Sequence, residues 1–552
     1  MGKVASSALL SVPLTLIAGV ATMTVDPLLH AVGFGRGSIL ELSGGVGVSV
    51  GIGYLAGRLL ARPAAASNAH RRGTLIESAN TSNTGANRSN QSGDEGNQSR
   101  PLESDRRRSN EQRLQRVTLA GLPVELLDET KHFKIIGTTG TGKSTAIREL
   151  LGGALGRGDR AIIADPDGGY LKRFGQPSRG DTILNPFAPD SRRWDLFGEI
   201  DKPYDIDQLA RSLLPDPGGP DKSWVSYART FFTSVTRQAR EAGVSDIREL
   251  YDLLVVSDRS ELRALVEGTP AQPFLEEHNG RMFDSIRSIT SSAVGSLEYI
   301  AQQDGSPLSV RKWVRQGSGA LFVPYKAGEI AALRSTVSAW MRLAIFEAMS
   351  QPEGDQRLWF VVDELDALGQ IDGLKDALAR LRKFGGRVVL GFQSIAQVSA
   401  TYGGGEARTI VENCGNTLIL RSSGSEPGGT AHFASQLIGQ REIVRTSRSR
   451  SRHVTDFLPS ITISEHVGIE PAVMDSEIEQ LPDLNGFLKF ASRPAWRRVS
   501  LAARPAADPD AVRAEARMEW GRSRAGVAAT GEASDEHTTA NRFAAATGRD
   551  FD

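Results

Sequence analysis

The chain has 552 residues, long enough for two or more domains with their own cores. Its 65 lysines and arginines match 65 aspartates and glutamates, so net charge identifies no partner and charge has to be read locally. The single cysteine, Cys414, excludes an intrachain disulfide; with no histidine beside a plausible nucleophile position it reads as a small buried apolar residue, and the soluble bulk of the chain reads as cytosolic.

Residues 7–25 are almost free of charge, and residues 39–60 form a second apolar, glycine-rich stretch; each is about the length a bilayer requires. Arg36 is the only lysine or arginine in the loop between them. Lys3 precedes the pair, and Arg58, Arg62, Arg71 and Arg72 end or follow it. Residues 1–61 are therefore expected to form a transmembrane helical hairpin with both termini on the cytoplasmic side. Gly47 with Gly51, and Gly53 with Gly57, have the spacing for close helix approach in lipid. The alternative is a cleaved signal peptide followed by a flexible glycine segment. Residues 62–112 are rich in Ser, Asn and Arg and nearly empty of large apolar residues, which predicts a disordered linker.

The strand-like run "KHFKII" then enters "GTTGTGKST", and "STAIRELLGGAL" continues as a helix. Strand, glycine-rich turn and helix in that order are the context of a phosphate-binding Walker A loop. Glycines let backbone N–H groups approach phosphates, and the helix N-terminus adds its dipole. Gly137, Thr138, Thr139, Gly140, Thr141, Gly142, Lys143, Ser144 and Thr145 are the expected nucleotide cradle, with Lys143 on the β- and γ-phosphates and Ser144 on Mg²⁺. The next strand, "RAIIADPDGGYLKRFG", ends at Asp165 and is stopped by Pro166.

From residue 204 to residue 302 the apolar spacing is helical throughout, and strand signals return at residues 319–325. "RLWFVVDEL" is an apolar strand ended by two acids. Asp363 is expected to hold Mg²⁺, often through water, and Glu364 to polarise the attacking water. The bland reading is a buried strand capped by two solvated carboxylates. "GRVVLGFQS" is a further buried strand, with Gln393 at its end placed to sense the γ-phosphate. Between these strands, "GLKDALARLRKFG" forms a helix with Arg380, Arg382, Lys383 and Arg387 in or after its last part. Cations there complement a helix C-terminus. One of them could instead reach a neighbouring subunit's phosphate, and the residues alone leave both readings open. Strands alternating with helices predict an open α/β sheet.

The segments "KHFKIIGTTGTGKSTAIRELL", "IIADPDGGYLKRFG", "DTILNPFAPDSRRWDLFGEI", "LWFVVDELDALGQIDGLKDALARLRKFGGRVVLGFQS" and "QLPDLNGFLKF" together resemble the type IV coupling proteins of conjugation and type IV secretion, in the TrwB and TraD branch related to the FtsK and HerA DNA pumps. The resemblance runs from about residue 112 to residue 500. It implies a RecA-like P-loop nucleotide-binding domain over 113–201 and 303–501, interrupted by an all-α domain over 202–302 at the cytoplasmic mouth of a homohexamer. It implies ATP and Mg²⁺ as cofactors. The partners it implies are DNA gripped without sequence preference, relaxase and relaxosome proteins, components of a type IV secretion channel, and the bacterial inner membrane. It places Arg382 at the family's trans-acting arginine and Trp224 at the family's tryptophan, where a bare tryptophan would more often be packed into a core or onto a helix surface.

The basic run at residues 441–454 reads as turn-like, either lining a DNA channel or solvated. Residues 502–552 read as a mobile tail of the kind that binds relaxosome components in the family, although nothing in their sequence shows this here. The function expected is an ATP-driven DNA translocase that joins a DNA–relaxase complex to a secretion channel. The competing reading is an ATP-ordered membrane docking platform for protein substrates that does not move DNA. A chromosome-segregation pump of the FtsK kind would need more spans and a C-terminal winged helix, and the sequence carries neither signal.

Overall fold

The computed structural model describes residues 68–77, 116–216, 221–451 and 460–502. The hairpin expected at 1–61, most of the linker and the C-terminal tail lie outside the described residues. Among the described residues no helix is long and apolar enough to cross a membrane. The described residues divide into two compact units, 68–72 with 441–451 and 460–470, and the remainder from 73 to 440 with 471–502.

The larger unit is built on a ten-stranded sheet. In chain order its strands are β1 (Ile76–Glu77), β2 (Phe133–Ile136), β3 (Arg160–Pro166), β4 (Thr182–Ile183), β5 (Ala320–Tyr325), β6 (Leu358–Val362), β7 (Gly386–Phe392), β8 (Asn416–Leu420), β9 (Asn485–Lys489) and β10 (Trp496–Ser500). Across the sheet the order is β1-β10-β9-β8-β2-β7-β6-β3-β5-β4. The ladders from β8 to β4 are parallel, and β9 pairs antiparallel with both β8 and β10.

Every residue of β2, β6, β7 and β8 is buried, as expected where helices cover both faces of a parallel sheet. The period of two divides these strands between two cores. Phe133, Ile135, Trp359 and Val361 face one core with Ile147 and Leu150 of α1 (Lys143–Gly156). Phe133 and Trp359 stack there at 5.9 Å. Ile136, Phe360, Val362 and Leu390 face the other. Register aligns the C-terminal ends that matter: Ile136 lies beside Phe392, and Val362 beside Leu390. The turns after β2, β6 and β7 therefore open on one edge of the sheet.

Between β4 and β5 the described residues from Asp205 to Ala301 are helical apart from connecting turns. Within this stretch, α2 (Lys222–Glu241) buries Ala228, Phe231, Phe232, Val235 and Ala239, the i, i+3, i+4, i+7 stripe of a packed helix. α3 (Gly280–Val294) answers with Phe283, whose ring meets Phe231 edge-on at 5.4 Å. Trp224 lies at the N-terminal end of the same stripe, one turn before Ala228. It is 37% exposed and edge-on to Tyr227 at 5.9 Å. Of the core and the helix surface, the surface is where the ring lies: at the first turn of α2 the stripe reaches solvent.

Two stretches differ from their reading as turn or linker. In the smaller unit, Gln440–Ser451 is the central strand of a three-stranded sheet between Asn68–Gly73 and Ser460–Pro471. Arg71 and Arg72 pair with Glu442, and Arg441 and Arg445 pair with Glu470. Cross-strand ion pairs take the place of apolar alternation, which is why the pattern of the basic run did not announce a strand. In the larger unit, Ile76 pairs with Trp496 as β1, an edge strand too short for a periodic signal.

Candidate functional site

The turn after β2 is shaped by its glycines. Gly140 and Gly142 have φ of 79° and 116°, which side-chain-bearing residues rarely adopt. A Cβ on Gly137 would stand 2.7 Å from Thr141 Oγ1 and 2.9 Å from Leu420 Cβ, so only glycine fits under the loop. The loop is fastened to the next strand's end by Thr138 N donating to Arg421 O at 2.9 Å. Lys143, the first residue of α1, is buried. Its Nζ donates to Gly137 O at 2.9 Å and Thr138 O at 3.3 Å, folding the ammonium back across the loop. Burial lowers its pKa, against the pull of Asp363, Glu364 and Asp366.

Ser144 Oγ donates to Asp363 Oδ2 at 2.7 Å, joining the start of α1 to the end of β6. Asp363 can take this place because β7 carries Gly391 beside it, where a Cβ would lie 2.2 Å from Asp363 O. Tyr170 donates its hydroxyl to the same Asp363 Oδ2, also at 2.7 Å. Asp363 Oδ1 is buried with no hydrogen-bond partner among the described residues. A bare, buried carboxylate oxygen beside a serine hydroxyl and a glycine-cradled loop is a donor set that suits a hard cation. No group of three or more His, Cys, Asp or Glu among the described residues is arranged to hold a metal, so such a cation would complete its shell with phosphate oxygens and water.

Glu364 is half-buried, and burial is the main reason its pKa is raised, with Asp363 and Asp366 adding to it. Gln393 follows β7 and bridges the site. Its Nε2 donates to Glu364 Oε1 at 3.2 Å, and its Oε1 accepts from Thr139 Oγ1 at 3.0 Å. The loop, Asp363, Glu364 and Gln393 therefore meet at one edge of the sheet.

Arg382 does not meet them. It sits in the turn between the helix Leu374–Leu381 and β7, at the opposite edge. It is exposed and its side chain makes no ion pair with the described residues. The turn that carries it is held from behind. Gly354 N donates to Lys383 O at 3.2 Å, and His132 bonds Leu378 O through Nε2 at 2.9 Å while its Nδ1 accepts from Val388 N. Only a neutral ring satisfies both histidine bonds, in keeping with a pKa lowered by burial to about 4. Arg387 is unlike its basic neighbours. It is 1% exposed and donates to Glu129 Oε2 at 3.0 Å and Asp355 Oδ1 at 2.5 Å, so it is bound within the fold. Cys414 is fully buried, and burial pushes its thiol up to about 12.

Two contributors carried no role in the sequence reading. Asp165 accepts from Tyr170 N and Leu171 N at 2.9 and 2.7 Å, anchoring the short helix Gly169–Phe174; burial pushes its carboxyl up to about 6. Tyr170 then reaches Asp363. The sequence hints were the Gly168–Gly169 turn following β3 and the place of Asp165 and Tyr170 in a segment that carries the family resemblance.

A profile of the type IV secretion-system coupling protein DNA-binding domain matches residues 116–502. The chain belongs to the type IV coupling protein family. The coupling protein TraD of Escherichia coli K12 is 29% identical over 406 residues, covering 72% of this chain and 56% of the relative. VirD4, a type IV secretion system coupling protein of Bartonella henselae, is 27% identical over 346 residues, covering 58% and 51%. This coupling protein thus spans about half the length of the curated relatives it matches. Among solved structures, the plasmid coupling protein TrwB in complex with ADP and Mg²⁺ superposes with a TM-score of 0.66 at 29% identity, covering 80% of this chain and 96% of that one. TrwB has the same standing in its complex with a sulfate. Its complex with a non-hydrolysable ATP analogue gives a TM-score of 0.65. The RecA-like core with its helical insertion is shared with these structures.

Proposed function

We propose that this coupling protein is an ATPase of the inner membrane that drives DNA from a relaxase complex into a type IV secretion channel. The observation that carries the reading is the joint Ser144–Asp363–Tyr170 and Thr139–Gln393–Glu364 contact, which gathers cradle, cation donors and a carboxylate base on one edge of the sheet. The ADP and Mg²⁺ bound by TrwB give the nucleotide class.

In this reading backbone N–H groups of residues 137–145 hold the phosphates and Lys143 exchanges its two carbonyl contacts for phosphate oxygens. Mg²⁺, when bound beside Ser144 and Asp363, neutralises charge on the β- and γ-phosphoryl oxygens. Glu364 takes a proton from the attacking water, and its raised pKa suits that task. Gln393 links Glu364 to Thr139, so loss of the γ-phosphate is felt at the end of β7.

Arg382 completes the site of an adjacent subunit. β7 is seven residues long, so at about 3.3 Å per residue it separates Arg382 from its own cradle by roughly 23 Å, too far to act in cis. Its exposure and the clamped turn behind it support presentation to a neighbour in a homohexamer. The hairpin at 1–61 anchors the ring in the membrane, the helical stretch meets arriving substrate, and residues 502–552 are a tail. Uniform phosphate contacts let the ring grip DNA of any sequence.

The test is hydrolysis by the full chain with and without DNA. DNA should stimulate it, Lys143→Ala should abolish nucleotide binding and turnover, and Glu364→Gln should bind ATP yet not turn it over. Wild-type turnover by Glu364→Gln would remove the base assignment.

A further inference from the structure

We propose that Tyr170 is a positioning residue for the cation site: it fixes the Asp363 carboxylate so that its second oxygen faces the divalent ion, and thereby sets the site's metal affinity. This rests on the reading of Asp363 as a metal-binding carboxylate given above.

The two Asp363 oxygens have unequal surroundings. Oδ2 accepts two hydrogen bonds, from Ser144 Oγ and from Tyr170 Oη, both at 2.7 Å, while Oδ1 is buried and has no partner among the described residues. One donor leaves a carboxylate able to turn about its Cβ–Cγ bond. Two donors from separate elements fix its plane and decide which oxygen is left bare. Ser144 cannot do this alone, because its hydroxyl is also the group expected to offer a lone pair to the cation. A phenol has no such second duty.

Tyr170 is itself rigidly placed. It is 1% exposed, and its backbone N–H is held by Asp165. The Arg148 guanidinium lies over its ring, 5.7 Å from the centroid. The hydroxyl is thus carried by the β3 side of the sheet and aimed across at the end of β6. A phenol keeps its proton at neutral pH, so it remains a donor. Partners of this kind, one shell behind a metal, typically contribute about 10–100-fold to metal affinity.

A tyrosine that merely fills the core beneath the sheet would give the same burial, and Tyr170→Phe separates the two roles because it keeps the ring and removes only the donor. Mn²⁺ binding to the full chain with saturating ADP is followed by electron paramagnetic resonance, alongside ADP affinity in excess EDTA. The expected result is a loss of Mn²⁺ affinity of about tenfold or more with ADP affinity in EDTA unchanged. Mn²⁺ affinity within twofold of wild type overturns the proposal. So does an equal loss of ADP affinity in EDTA, which would mark a structural role. Asp363→Asn, measured in parallel, must lose Mn²⁺ affinity. If it does not, the metal reading of Asp363 itself fails; if it does while Tyr170→Phe binds normally, only the role of Tyr170 falls.

Discussion

If Arg382 serves the neighbouring cradle, two inactive variants should restore each other. Lys143→Ala subunits lack the ammonium but keep Arg382, and Arg382→Ala subunits keep a sound cradle but lack the arginine. Arg382→Ala alone should lose about a thousandfold or more in turnover, the usual scale for a trans-acting arginine, and Lys143→Ala alone should be inactive. Own-chain rescue is closed off by geometry, since the whole of β7 lies between Arg382 and its own loop. In a head-to-tail ring formed from a one-to-one mixture, about one boundary in four pairs an intact cradle with an intact arginine. ATP turnover should therefore rise to about a quarter of wild type, some hundreds of times above either variant alone. The assay is ATPase activity with DNA across a series of mixing ratios, with crosslinking to establish that rings are mixed. Turnover that stays at the level of the pure variants at every ratio, in rings shown to be mixed, would refute the trans assignment.

Three other outcomes follow from the same contacts. Glu129→Gln strips one carboxylate from Arg387 and from Arg157, which keep Asp355 and Asp159, and should cost about 1.5–3 kcal/mol in a denaturant melt, the scale of hydrogen bonds to charged groups; a loss under about 0.5 kcal/mol would contradict it. Asp165 binds its proton more tightly folded than unfolded, so its share of stability is fully present below the ordinary value of 3.8 and is lost as pH rises through about 6; Asp165→Asn should erase that part of the pH dependence of thermal melting, and an unaltered profile would contradict the burial effect. DNA binding by the full chain should be sequence-indifferent and should weaken steeply with salt in a fluorescence titration, whereas salt-insensitive binding to one sequence would contradict a backbone grip.

Sequence order made the nucleotide edge legible because its parts are local. A strand, a glycine turn and a Lys-Ser pair are neighbours in the chain, and Asp363–Glu364 and Gln393 each end an apolar run. The contacts that finish the site are not local. Tyr170 and Asp363 are 193 residues apart, and only the order of strands in the sheet brings them together. Arg382 and Arg387 look alike as letters in a basic cluster. They differ because Arg387 lies within β7 beside Glu129, which comes 258 residues earlier in the chain, whereas Arg382 sits in the turn before that strand. The strand Gln440–Ser451 escaped for another reason: its cross-strand partners are charges, and hydrophobic alternation is the signal by which strands are found.

The central claim is that hydrolysis at this site moves DNA, and the direct measurement is single-molecule tracking of DNA held by the full chain in a supported bilayer. The account predicts directed movement that needs ATP and stops with Glu364→Gln. Steady ATP turnover with DNA bound but stationary would contradict it and would leave a nucleotide-ordered docking platform in its place.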